Sequence, residues 1–127
     1  MKILFAAPEN AWGGFLDLIR AAVPEHRFEA TGAFRVDTLE GCDVLIPTMT
    51  PITRELLESR DRLKLIQQCG SGLELVDVAA AAENDIWVAN VPTDSSGNAM
   101  KGIVAQVAAN IRRVADNREP LHQFDPR

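Results

Sequence analysis

With 127 residues, 46% of them hydrophobic, the chain has the size of one domain and enough apolar material to fold without disulfide or metal staples. A formal net charge of -5, with the 13 basic residues scattered singly or in pairs such as Arg112-Arg113, offers no footprint for a phosphate backbone, so nucleic acid is not an expected partner. No apolar run approaches the ~20 residues that span a bilayer, and Ile3-Leu4-Phe5 is too short for a signal-peptide core, so the expectation is a soluble, cytoplasmic chain with no membrane partner.

Short apolar runs alternate with helical patterns along the chain, which is the signature of βαβ units on a parallel sheet. Lys2 to Ala7 (KILFAA) is nearly continuous in apolar residues, as befits a central strand covered on both faces. Phe15, Leu18, Ile19 and Ala22 then recur at helical spacing until Pro24 stops the run. Arg27 to Ala30 (RFEA) alternates polar with apolar and reads as an edge strand, whereas Asp43 to Pro47 (DVLIP) reads as a second central one. Thr50-Pro51 has the form of a helix N-cap followed by proline at the first helical position, opening a short helix through Leu56 and Leu57. Lys64 to Gln68 (KLIQQ) is the fourth strand, Leu73, Val76, Ala79 and Ala80 mark a helix closed by Asn84, and Ile86 to Asn90 (IWVAN) is the fifth strand. The last helix carries an apolar stripe of Ile103, Val104, Val107, Ala108, Ile111, Val114 and Ala115, with Arg112, Arg113 and Asp116 opposite. The aperiodic tail from Arg118 to Arg127, with Pro120 and Pro126, is expected to run as an extended strap or to fray.

Right-handed crossovers and a polar second strand favour an α/β, flavodoxin-like, doubly wound five-stranded parallel sheet of order 2-1-3-4-5. Ligands bind such sheets at the carboxyl ends of the strands, which directs attention to Pro8 to Gly14, Thr48 to Pro51, Cys69 to Leu73 and Val91 to Asn98. The first of these lacks the hydroxyl run and glycine placement of a flavin phosphate cradle, and Ala6-Ala7-Pro8 stands where a receiver domain would carry acidic residues. Trp12 there reads as a packed or half-exposed aromatic. In the third loop, Gly70-Ser71-Gly72 follows a strand and precedes the helix expected from about Leu73, so backbone N–H groups and a helix end could face an anion. A turn that needs glycine for its own geometry is the other reading. A dinucleotide site is rejected, because the third position of G-x-G-x-x-G holds Leu75 where a small residue is needed.

Catalytic and metal-binding groups are scarce. Cys42 and Cys69 fit neither a disulfide framework nor a metal site and read as reduced, buried hydrophobes. His26 and His122 read as solvated surface residues, and no two carboxylates pair near a predicted cleft.

Three stretches, DVLIPTMTPITRELL, LKLIQQCGSGLELVD and WVANVPTDSSGNA, resemble in order and interval the substrate-domain motifs of the D-isomer-specific 2-hydroxyacid dehydrogenases. The resemblance covers Met1 to about Ala99, and the stretch from Val104 to Pro126 resembles the family's C-terminal helix and tail. In that family a flavodoxin-like substrate domain is built from both chain ends. A Rossmann domain inserted between them binds NAD or NADP and carries a catalytic arginine, glutamate and histidine.

The resemblance therefore implies a single substrate-binding domain over residues 1–127, with an N-terminal segment 1–99 joined to 100–127 where the nucleotide domain would be inserted. The join is more in keeping with design than with a natural stand-alone domain. It implies a substrate carboxylate held in the loop Gly70-Ser71-Gly72 by the backbone N–H groups of Ser71 and Gly72, with Thr48, Met49 and Thr50 as a pocket wall. No catalytic residue, metal or cofactor is expected, and the chain is expected to be a monomer that binds a small 2-oxo or 2-hydroxy acid weakly and transfers no hydride. The alternatives are a split-enzyme half completed by a separate nucleotide-binding chain, and a stand-alone flavodoxin-like module that binds small anions. Glu74 departs from the family, which has Asp or Asn there.

Overall fold

Residues 1–92 and 99–124 are described by a computed structural model. The alternating runs fold as β1 (Lys2–Phe5), α1 (Ala11–Ala22), β2 (Arg27–Ala30), β3 (Val44–Ile46), α2 (Arg54–Glu58), β4 (Leu65–Gln67), α3 (Val78–Glu83), β5 (Trp87–Ala89) and α4 (Ala99–Ala115). All four strand pairings are parallel and the order is β2-β1-β3-β4-β5, as expected of a flavodoxin-like doubly wound sheet.

Side chains of successive strand residues point to opposite faces, and each face is covered by helices. Ile3, Phe5, Val44, Ile46 and Leu65 pack under α1 and α4 with Phe15, Leu16, Ile19, Val107, Ile111 and Val114. Leu4, Leu45, Ile66 and Val88 pack on the other face with Leu57 of α2 and Ala80 and Ala81 of α3. Burying each large aliphatic or aromatic side chain in these layers contributes about 1.5–3 kcal/mol, which is why apolar runs this short suffice to fix the sheet. No helix among the described residues is long and apolar enough to cross a membrane.

Three helix expectations are corrected. In α1, Leu16 is buried while Leu18 is 46% exposed. Trp12 (φ 55°), Gly13 (φ 65°) and Gly14 (φ 92°) all lie in the left-handed region, so the regular helix starts at Phe15 with its own phase. Such a run is affordable because two of its three residues lack a Cβ. Thr53, not Thr50, caps α2, accepting from the Leu56 N–H at 3.2 Å. Asp77, not a residue near Leu73, caps α3, accepting from the Ala80 N–H at 2.9 Å. Both delays have one cause, a parallel bridge between Ile52 and Val76. The Ile52 N–H donates to the Leu75 carbonyl at 2.8 Å and the Asp77 N–H to the Ile52 carbonyl at 2.9 Å, which keeps both approaches extended.

The tail forms the strap, at least to Phe124. Gln123 bridges Ala89 in antiparallel sense, and the Phe124 N–H donates to the Val88 carbonyl at 2.7 Å. Beneath it, buried Asn110 of α4 donates to Gln67 Oε1 at 2.7 Å and to the Leu121 carbonyl at 3.0 Å, and accepts from the Leu121 N–H at 2.6 Å. Of the four loops singled out by the sequence, Val91 to Asn98 lies outside the described residues from position 93, as does Pro126.

Candidate functional site at the carboxyl edge

After β1 the chain continues through Ala6, whose carbonyl accepts the hydroxyls of two threonines from the loop after β3. Thr48 donates by a short bond and Thr50 at 3.3 Å. Both threonines are buried, and Thr48 sits at φ 55°, a costly conformation for a β-branched residue. That geometry is held from β4 as well, because Gln68 Nε2 donates to the Thr48 carbonyl at 3.0 Å while Gln68 Oε1 accepts from the Cys69 N–H at 3.0 Å. With its threonine neighbours turned inward, Met49 is left 55% exposed at the tip.

The loop after β4 is fastened through its carbonyls. The Val91 N–H donates to the Gly70 carbonyl at 3.0 Å, and Asn90 Nδ2 donates to the Ser71 carbonyl at 3.1 Å. The N–H groups of Ser71 and Gly72 are engaged by no hydrogen bond among the described residues. Gly70 and Gly72 do not have positive φ, so neither is there for a left-handed turn; the glycine-for-geometry reading finds its case at Gly13 and Gly14 instead.

Between these loops and the start of α4 lies a cavity of about 370 Å³. Of the residues expected to form a site, Thr48, Met49, Gly70 and Gly72 line it. Ser71 lies exposed on the loop beside it, and the Thr50 hydroxyl is committed to Ala6. The sequence did not single out Trp12, Phe15, Gln68, Leu75, Met100 or Ile103 as lining residues. The signal for Trp12 was its position just past the end of β1. Its ring meets Phe5 edge-on with centroids 6.0 Å apart and Phe15 at 6.3 Å, so it is both packed and 37% exposed. Met100 and Ile103 are adjacent to this loop cluster only in space.

Glu74 is the only charged side chain among the described residues that line the cavity. A Cβ placed on Gly72 would stand 2.8 Å from Glu74 Oε2 and 3.0 Å from Oε1, so the carboxylate folds back over the glycine loop. Cys69 also lines the cavity, but burial pushes its thiol up to about 12, which leaves it a poor nucleophile. Neither histidine is a lining residue. His26 lies at the opposite edge with Nδ1 3.1 Å from the Met1 amine, and burial holds its pKa below the ordinary value. The backbone carbonyl of His122 accepts from the Asn90 N–H at 3.4 Å while its ring is exposed. Among the described residues, no three His, Cys, Asp or Glu side chains cluster as metal ligands.

Two consequences follow for ligands. The helix expected to back the glycine loop begins only at Val78, so its positive end contributes little at Gly72. The same displacement, with half-exposed Leu75 at the third motif position, removes the strand-turn-helix seat that a dinucleotide pyrophosphate requires, and these residues do not fit NAD or NADP.

The family model described as D-isomer specific 2-hydroxyacid dehydrogenase, catalytic domain, matches residues 20–125. D-3-phosphoglycerate dehydrogenase of Methanocaldococcus jannaschii is 36% identical over 89 residues, covering 65% of this chain and 17% of the relative. Among solved structures, NAD-dependent formate dehydrogenase from Staphylococcus aureus in complex with NAD is similar over 92% of this chain and 36% of that one, with 28% identity and a TM-score of 0.60. D-lactate dehydrogenase from Aquifex aeolicus, complexed with NAD and lactic acid, shares the fold over 92% of this chain and 36% of that one, at a TM-score of 0.62 and 18% identity. The chain thus spans about a sixth of that curated relative and about a third of the solved structures it matches. It belongs to the D-isomer-specific 2-hydroxyacid dehydrogenase family.

Proposed function

We propose that this chain is the substrate-binding unit of a D-2-hydroxyacid dehydrogenase, receiving the carboxylate of a small 2-oxo or 2-hydroxy acid on Ser71 and Gly72 and transferring no hydride by itself. The observation that supports this reading is the fastening of the loop: its carbonyls are tied to Asn90 and Val91, Gly70 and Gly72 line the cavity, and the Ser71 and Gly72 N–H groups donate to no partner among the described residues. Two N–H bonds to a charged acceptor contribute about 1.5–3 kcal/mol each. Association costs at least ~4 kcal/mol, so the expected affinity is millimolar or weaker. Thr48 and Thr50 act by shaping the wall, since their hydroxyls are spent on Ala6, and Met49 supplies the apolar contact. A chain organised as 1–99 joined directly to 100–127 carries no counterpart of the family's catalytic arginine, glutamate and histidine.

The test is a backbone amide titration with oxalate, in which Ser71 and Gly72 should shift first. Amides that stay still at tens of millimolar oxalate would sink the reading. Mixing the chain with NADH and glyoxylate should oxidise no NADH.

A second reading is favoured by the rim of the cavity, where Trp12, Met49 and Leu75 are 37%, 55% and 47% exposed. Apolar side chains gathered around a cleft suit cover by another unit, so this chain could complete an enzyme with a nucleotide-binding partner. Hydride transfer recovered on adding a family nucleotide-binding domain supports it, and no gain at saturating partner counts against it.

A further inference from the structure

We infer that Glu74 sets the charge selectivity of the carboxyl-edge cavity: its carboxylate, folded over Gly72, makes the pocket prefer a ligand bearing an ammonium beside its carboxylate over the 2-oxo acid of the same size. This rests on reading the glycine loop as the ligand site and goes beyond it by naming what the rest of the ligand must carry.

The argument starts from the charges that line the cavity. Trp12, Phe15, Met49, Leu75, Met100 and Ile103 make its walls apolar, and no lysine, arginine or histidine lines it among the described residues. Among the described lining residues Glu74 is the only charge, and both its oxygens approach the position a Cβ would take on Gly72, at 2.8 and 3.0 Å. A ligand carboxylate seated on the Ser71 and Gly72 N–H groups therefore comes within a few ångströms of a like charge. It must either bear that repulsion or drive the Glu74 side chain out. An α-ammonium group beside the ligand carboxylate reverses the sign of the interaction, while its methyl-sized remainder finds the same apolar wall. Chain placement makes this effect specific to Glu74. A shorter Asp at this position would not reach back over Gly72 to the same extent, and the flexible Glu can retract, so selectivity is a preference and not an absolute bar. Because Glu74 is exposed, the preference weakens as salt is raised.

The experiment compares pyruvate with alanine by amide titration at low ionic strength in the native chain, in Glu74→Gln and in Glu40→Gln. Glu40 lies before β3, at the opposite edge of the sheet, and corrects for the change in net charge. In the native chain and in Glu40→Gln, alanine should shift Ser71 and Gly72 at about one tenth of the pyruvate concentration. In Glu74→Gln the ratio should fall to near one or below, with pyruvate binding strengthened several-fold. Equal affinities in the native chain, or an unchanged ratio in Glu74→Gln, overturn the inference while leaving the loop as the ligand site. The same ratio change in Glu40→Gln overturns it in favour of net charge. If neither ligand moves these amides in any of the three proteins, the inference and the site fall together.

Discussion

Gln68 Nε2 donates to the Thr48 carbonyl at 3.0 Å across the carboxyl edge, joining the end of β4 to a threonine held in the left-handed region. The same side chain accepts from the Cys69 N–H, so one buried amide fixes both walls of the cavity. Removing it leaves a buried carbonyl and a buried N–H without partners. Gln68→Ala should therefore destabilise the chain by about 1–3 kcal/mol, read from the urea midpoint at unchanged slope. The Thr48 amide should also exchange faster. A midpoint equal to that of the native chain would show that Thr48 is held by its hydroxyl bond to Ala6 alone.

The strand order was legible because the evidence for it is local. KILFAA and DVLIP are apolar on both faces and RFEA on one, which places the last at an edge. The starts of α2 and α3 were not legible, because Thr50-Pro51 and Leu73 have good local chemistry for a helix start. They are overruled by a bridge between Ile52 and Val76, 24 positions apart in the sequence. The exposure of Leu18 is hidden from its spacing for a related reason: three left-handed residues before Phe15 reset the phase, and only two of them are glycine. Within the site, Gly70 to Gly72 could be found from a strand followed by glycines. Gln68 looked like one more strand residue, and the α4 lining residues Met100 and Ile103 reach the cavity by tertiary packing that no spacing announces.

Asn110 occupies an apolar helix face and satisfies Gln67, the Leu121 N–H and the Leu121 carbonyl at once. Asn110→Leu keeps the volume but strands three polar groups. It should cost at least about 1–3 kcal/mol, with the loss concentrated in the tail. Hydrogen exchange at Leu121 and Phe124 should speed up well before the sheet amides respond. Uniform acceleration across β1 and β3 would mean that the strap is not a separate unit and the network serves the whole fold.

Acid stability should carry a contribution from Glu25. Its bond to the Arg112 guanidinium, at 2.9 Å, is the main cause that holds the carboxyl at about 2, below its ordinary 4.5. A depressed native value means that the unfolded chain binds the proton first. The pair therefore stabilises the fold above about pH 4.5, and that contribution is lost as pH falls toward 2. The pair is exposed, so salt should shrink the effect. Glu25→Gln should flatten the fall in stability between these two pH values. Identical acid profiles for both proteins, at low salt, would assign the loss to other carboxylates.

The two thiols give the sharpest test of the packing around the site. Cys42 is fully buried and Cys69 is 6% exposed, and burial pushes both up to about 12. At pH 8 the thiolate, which is the reactive form, is then a far smaller fraction of each cysteine than the roughly one quarter of a free one. Ellman's reagent should therefore label neither residue in minutes under native conditions and both at once in denaturant. Cys69 borders the cavity and Cys42 does not, so slow native labelling should begin at Cys69. Its rate should track local opening of the carboxyl edge, rising in Gln68→Ala, which frees the Cys69 N–H, more than at Cys42. Prompt labelling of Cys42 in the native chain, or equal acceleration at both residues, would mean that the thiols report global unfolding and that the edge has no opening of its own.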